Sequence, residues 1–251
     1  MQALLCIDDT DNLDSIGTGE MLQNLSQLLD QKNLAQAGFV TRHQLFLHED
    51  IAYTSHNSAM CTGLLLRQED LAEILSVAGR FLQEEAAEGS DPGLCLLCYE
   101  ALTDRAELIA FGRRAKQEVL QKQDAYQLAA KYPGIVFLSE HGGTGDGVIG
   151  ALAGCGLRLS GSDGKIKGKI QPKQPGAVMK IKDFLAMYQL AAAYDKEFQR
   201  ISEEEEMVCG TDIKACLKDD QPIVILKPDE TGKAKWHSMD IKEIKQYGIG
   251  V

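Results

Sequence analysis

Apolar residues along the first half of the chain alternate between short runs and helical spacing. Residues 3 to 7 (Ala-Leu-Leu-Cys-Ile) predict a buried strand. Leu22, Leu25, Leu28 and Leu29 recur at helical spacing and predict a helix over 18–32, with Thr18 as N-cap and Gly38 as the breaker beyond it. Strands are expected over 39–47 and 59–66. Leu71, Ile74, Leu75, Ala78 and Leu82 share one face of a helix over 71–86, with Asp70 as its cap. Pro92-Gly93 then opens a strand, Leu94 to Cys98. The order βαββαβ is that of the ferredoxin-like split unit. A helical stretch over 103–132, a strand over 134–138, a glycine-rich loop and a helix over 148–155 elaborate it. The chain therefore reads as α+β: a first domain over 1–165 and a small C-terminal α+β region over 166–251. In that region an extended basic segment (165–173) and a helix over 180–200 are expected. An acidic run, Glu203 to Glu206, reads as a solvated helix face or loop. A hairpin is expected from 222–227 and 233–238 around Asp229-Glu230-Thr231-Gly232.

Composition narrows the class. Hydrophobic residues make up 44% of the 251 and charged residues 25%, as in a globular protein. No apolar run reaches the length of a membrane helix, and the N-terminus lacks the pattern of a secretory signal. The seven cysteines are odd in number and sit mostly in apolar runs. They read as reduced, buried thiols of a cytoplasmic protein. The net charge of −11 argues against nucleic acid as a partner unless another protein assists.

The first strand runs directly into Asp8-Asp9-Thr10-Asp11. Three carboxylates in four positions repel one another unless a cation or hydrogen-bond donors offset the charge. Oxygen ligands of this kind suit Mg²⁺. The bland alternative is an ordinary acidic turn. Gly17-Thr18-Gly19 follows at a predicted helix start, where free backbone N–H groups favour anions. A second glycine-rich stretch, His141 to Gly150, again lies between a strand and a helix. Its Gly145, Gly147 and Gly150 match G-x-G-x-x-G, but late in the chain and without the following acidic strand end of a dinucleotide fold. It reads as a phosphate loop or as close helix–sheet packing through small residues. His43, His48 and His56 flank the predicted hairpin and read as ordinary hairpin histidines. Cys95 and Cys98 have CxxC spacing in a strand, where residues three apart face opposite sides. Arg113, Arg114 and Lys116 form a basic cluster suited to phosphate or to a solvated helix face.

Taken together, these segments resemble the ATP-dependent kinase domain of the archaeal isoleucine-tRNA agmatidine synthetases. Ile7-Asp8-Asp9-Thr10-Asp11 is similar to the start of that domain. Ile51 to Ala59 is similar to its I-P-Y-K-T-R-G-N-G-A stretch, Asp91-Pro92-Gly93-Leu94 to its N-P-G-L, and Gly147 to Ala153 to its G-V-I-G-A-L-A. The matches fall in order across about residues 1 to 160. Asn12 to Gly17 departs from the family's M-C-T-T pattern. The family's basic residue near His56 is missing, and Ser58 replaces a glycine. Nothing after residue 165 resembles the family's OB-fold and zinc ribbon.

The resemblance implies ATP and Mg²⁺ as cofactors and phosphoryl transfer to an unknown acceptor. Asp8, Asp9 and Asp11 would hold the metal, and Thr18 and Asp9 would act in catalysis. Gly17, Gly19, His56, Asn57, Gly143, Gly145 and Gly147 would bind the nucleotide. The alternatives are a regulatory module that binds nucleotide without turning it over and, from G-x-G-x-x-G alone, a nicotinamide-dependent oxidoreductase.

Overall fold

The computed structural model describes residues 1–51 and 57–247. The chain divides into two compact units, Met1–Ser160 and Gly161–Val251.

The first unit runs β1 (Gln2–Asp8), α1 (Thr18–Gln31), β2 (Ala35–Gln44), β3 (Ser58–Leu66), α2 (Leu71–Glu85), β4 (Gly93–Leu97), α3 (Ala106–Arg114), α4 (Lys122–Ala129), β5 (Val136–Glu140) and α5 (Gly147–Leu159). The strands lie in the order β5-β4-β1-β3-β2, and each of these neighbouring pairs is antiparallel. β1 is therefore central and needs apolar residues on both faces. Ala3, Leu5 and Ile7 pack with Met21, Leu22 and Leu25 of α1 and Ile74, Ala78 and Leu82 of α2. Leu4 and Cys6 pack on the other face with Leu108 and Phe111 of α3, Ala125 of α4 and Val148, Ala151 and Leu152 of α5. The uninterrupted apolar run at 3–7 is the sequence trace of this two-sided burial. Cys95 joins the second of these cores and Cys98 the first, on opposite faces as their spacing requires.

The elements of this unit match the sequence expectations in kind and differ in their limits. Gly17, not Thr18, is the N-cap of α1. Its chain reversal is made by Asn33 in the left-handed region, while Gly38 lies inside β2 beside an irregularity in the β2–β3 register. The single helix expected over 103–132 is two, because the chain turns between Ala115 and Gln121 and restarts at a Gln121/Asp124 capping box.

The second unit contains β6 (Lys165–Ile166), β7 (Val178–Lys180), α6 (Ile181–Tyr188), β8 (Ala192–Tyr194), β9 (Glu206–Val208), β10 (Ala215–Lys218), β11 (Gln221–Pro228), β12 (Trp236–Ser238) and α7 (Ile241–Gln246). β11 and β12 form the expected antiparallel hairpin. The backbone N–H groups of Thr231, Lys233 and Ala234 donate to the Asp229 carboxylate and close its turn. The helix expected over 180–200 stops at Tyr188. Gln189 takes a left-handed conformation, and Ala192–Tyr194 becomes a strand parallel to β11. A place beside a central strand there outweighs alanine's helix propensity. β9 starts at Glu206, so the acidic run leads into a strand.

Candidate functional site

Two loops meet at the end of β1, and the register explains why. Asp8 lies opposite Gly93 in the β1–β4 pair, so Asp91 falls beside the residues that follow Asp8. The Asp91 backbone and carboxylate both act electrostatically on the Asp9 carboxyl. The Asp91 carboxylate accepts from the Thr144 amide at 2.5 Å and from the Thr144 hydroxyl at 2.7 Å. Asp91 thereby ties the acidic run to the glycine-rich loop. Lys122 Nζ holds the same loop from the other side through Thr144 O at 2.5 Å and Glu140 at 3.2 Å.

Small residues allow this convergence. A Cβ on Gly150 would lie 1.7 Å from Asp8 Oδ2, and one on Gly147 would lie 2.1 Å from the Asp91 carbonyl oxygen. Gly145 has φ +81°, and a Cβ there would lie 1.9 Å from Glu140 Oε2. Of the two sequence readings of this loop, these contacts bear out close packing through small residues. Gly143 and Gly147 are brought to Asp91, Gly147 also to Asp8, and Gly145 to Glu140.

Electrostatics marks the same place. Burial, reinforced by Asp9 and Asp11, pushes the Asp8 carboxyl well above the usual carboxylate range. Asp9 is pushed up to about 6, first by burial and then by Asp91, Asp11 and Asp146. Asp9 also holds a left-handed backbone, φ 53°, a conformation that aspartate and asparagine adopt more readily than other non-glycine residues. Thr10 is wholly buried, and its hydroxyl has no hydrogen-bond partner among the described residues. Asp8, Asp9 and Asp11 thus act on one another electrostatically beside an unsatisfied hydroxyl, but their oxygens do not come close enough together among the described residues to form a closed ligand set.

At the start of α1, Thr18 is buried and its hydroxyl donates to Asp11 Oδ1 at 3.2 Å. A Cβ on Gly17 would lie 3.6 Å from the same carboxylate, and Gly19 is buried in the first turn of the helix. The Asn57 side-chain amide donates to Phe46 O at 2.7 Å, which braces the β2–β3 connection. His56 lies outside the described residues. Asp91 and Asp146 were not among the sequence candidates. Asp91 could have been found by pairing β1 with β4, since Asp91-Pro92-Gly93 then falls opposite the acidic run. His43 is buried on β2 against the Thr41 hydroxyl at 2.8 Å, a core histidine. Arg114 of the basic cluster pairs with Glu118 on the surface at 2.9 Å. Among the described residues no helix is long and apolar enough to cross a membrane.

No protein-family model and no curated protein sequence matches the chain. Solved structures do. A complex of TiaS with an isoleucine tRNA, AMPCPP and agmatine aligns with a TM-score of 0.56 and 23% identity over 75% of this chain and 45% of that one. The chain shares its fold with TiaS. A complex of TiaS with the same tRNA and ATP aligns at 0.55 and 24% identity, over 75% of this chain and 45% of the other. A tRNA fluorescent labelling enzyme aligns at 0.55 and 25%, over 76% of this chain and 44% of that one. The chain thus spans less than half the length of the structures it matches.

The matched share exceeds what Met1–Ser160 makes up, so the likeness to TiaS continues past residue 165 into the second unit. TiaS itself is seen bound to tRNA, so the matches lend no support to the expectation that nucleic acid is an unlikely partner. The whole of the −11 falls in Met1–Ser160; from Gly161 onward acidic and basic residues balance. A whole-chain sum hid that difference.

Proposed function

We propose that this chain is an ATP- and Mg²⁺-dependent phosphotransferase or ATPase built on a ferredoxin-like split unit. The observation that carries the reading is the convergence of Asp8, Asp9 and Asp11 with the Gly143–Gly147 loop through Asp91. Asp8, Asp9 and Asp11 would hold Mg²⁺, which would neutralise charge on the phosphates. Thr18, with the amides of Gly17 and Gly19, would meet the terminal phosphate, and its bond to Asp11 would orient its hydroxyl. The amides of Gly143, Gly145 and Gly147 would cradle another part of the nucleotide, and His56 and Asn57 would line the approach. Phosphoryl transfer needs mainly positioning and charge stabilisation, which these groups can supply. The likeness to TiaS, whose complexes contain ATP and tRNA, supports nucleotide binding and brings RNA into the set of candidate acceptors.

The test is Mg-dependent ATP binding by calorimetry. Asp9→Asn and Asp11→Asn should each weaken it at least a hundredfold. Parent-like binding by both variants refutes the metal assignment.

A second reading is a module that binds nucleotide without turnover. It is favoured by the altered Asn12–Gly17 segment, which closes on itself: Ser15 Oγ accepts from Asn12 N at 2.9 Å and Asn12 Oδ1 from Asp14 N at 3.0 Å. Single-turnover phosphate release, with and without tRNA, separates the two. A nicotinamide enzyme is disfavoured, because β5 pairs antiparallel with β4 and its glycine loop opens no parallel βαβ crossover. NADH fluorescence unchanged by the protein would close that reading.

A further inference from the structure

A second cluster of potential ligands lies in the core of the first unit. Cys6 and Cys61 are directly opposite each other in the β1–β3 pair, and Cys6 is opposite Cys95 in the β1–β4 pair. The thiols therefore form a row across three strands, on the face covered by α5. Cys155 of α5 comes down onto this row. The Sγ atoms of Cys6, Cys61 and Cys155 all lie within 4.8 Å of one another, and all three residues are fully buried. Gly154 permits the approach: a Cβ there would lie 2.4 Å from Cys6 Sγ and 2.9 Å from Ala59 Cβ.

We propose that Cys6, Cys61 and Cys155 form a trithiolate site for a soft, closed-shell cation of the Cu(I) or Zn(II) class. Metal–sulfur bonds of about 2.3 Å place three sulfurs around a trigonal ion about 4 Å apart, within the spacing found here. Thiolates select soft ions over the hard cations that oxygen ligands favour. Binding breaks three S–H bonds, forms three metal–sulfur bonds and releases three protons to solvent, with no change of oxidation state. The residual negative charge is offset by Arg158, which is buried one helical turn beyond Cys155 and acts electrostatically on Cys61. This site is independent of the nucleotide reading.

The test loads the reduced full-length chain with Cu(I) or Zn(II) alone, by refolding in its presence, followed by desalting. One ion per chain is expected by elemental analysis. Cys61→Ala and Cys155→Ala should lose it, while Cys98→Ala and Cys216→Ala, at buried cysteines outside the cluster, should keep it. X-ray absorption on the loaded parent should show a first shell of sulfur alone. That measurement decides the matter even where a core variant fails to fold. Retention of neither ion by the folded parent overturns the proposal, as does a shell of oxygen and nitrogen. Equal retention by Cys61→Ala and Cys155→Ala, both folded, also overturns it.

Discussion

At Asp9 a single residue carries two costs at once. Its backbone is left-handed and its carboxyl is raised to about 6, chiefly by burial. A carboxyl raised on folding stabilises the fold below its unfolded value, about 3.9, and that contribution is lost as pH rises through the folded value. Above pH 6 the ionised Asp9 therefore strains the metal-free chain. Asn keeps the left-handed conformation and removes the charge. Asp9→Asn should stabilise the metal-free protein at pH 8 by about 1–2 kcal/mol after allowance for solvent screening. The gain should disappear below about pH 4. Urea titrations across that range check both the sign and the window. Mg²⁺ should raise the parent's melting temperature at pH 8 and do little at pH 4.5, where protons occupy the same carboxyls. An equal Mg²⁺ effect at both pH values would place the metal elsewhere.

Among the elements, α5 does two jobs at different points along its length. At its start, Gly150 makes room for the buried Asp8 side chain, the atoms an added Cβ would meet. Gly150→Ala should weaken Mg-dependent ATP binding at least tenfold with a modest loss of stability. Two turns further on, a Cβ on Gly156 would lie 2.1 Å from the Leu108 carbonyl oxygen in α3, a backbone atom that cannot step aside. Gly156→Ala should destabilise the fold by about 1–3 kcal/mol, as overpacking does, and leave ATP affinity near that of the parent. Paired calorimetry and denaturation distinguish the two ends. The loop that precedes α5 depends on Asp91, which bonds both the amide and the hydroxyl of Thr144. Asp91→Ala should free the loop, seen as faster amide hydrogen exchange at residues 143–147.

Across the whole molecule, each unit has its own apolar core, and the single tryptophan, Trp236, lies in the second. Its fluorescence reports the unfolding of Gly161–Val251, while far-ultraviolet circular dichroism reports both units. Mg–ATP should move the circular dichroism transition to higher urea and leave the Trp236 transition in place. Coincident shifts in both signals would show that the nucleotide stabilises the chain as one cooperative body. Since the acidity is confined to Met1–Ser160, any tRNA binding should weaken steeply with salt and survive charge-neutralising substitutions in the first unit.

The sequence by itself determined the local pieces. Periodicity marked β1, α1, α2, β4 and α5, because each buries a face whose spacing is set by its own backbone geometry. Asp8-Asp9-Thr10-Asp11 was visible as a charged string at a strand end. Only the tertiary structure decided what those pieces meet. Asp91 and Asp146 joined the cluster through strand register and loop closure, which depend on residues far apart in sequence. The two-way use of glycine in α5 was likewise invisible, since a small residue acquires meaning only from the atom opposite it. Ala192–Tyr194 became a strand because a central partner was available, against its local preference. The three cysteines stood at unrelated positions until two strands and a helix carried their sulfurs together.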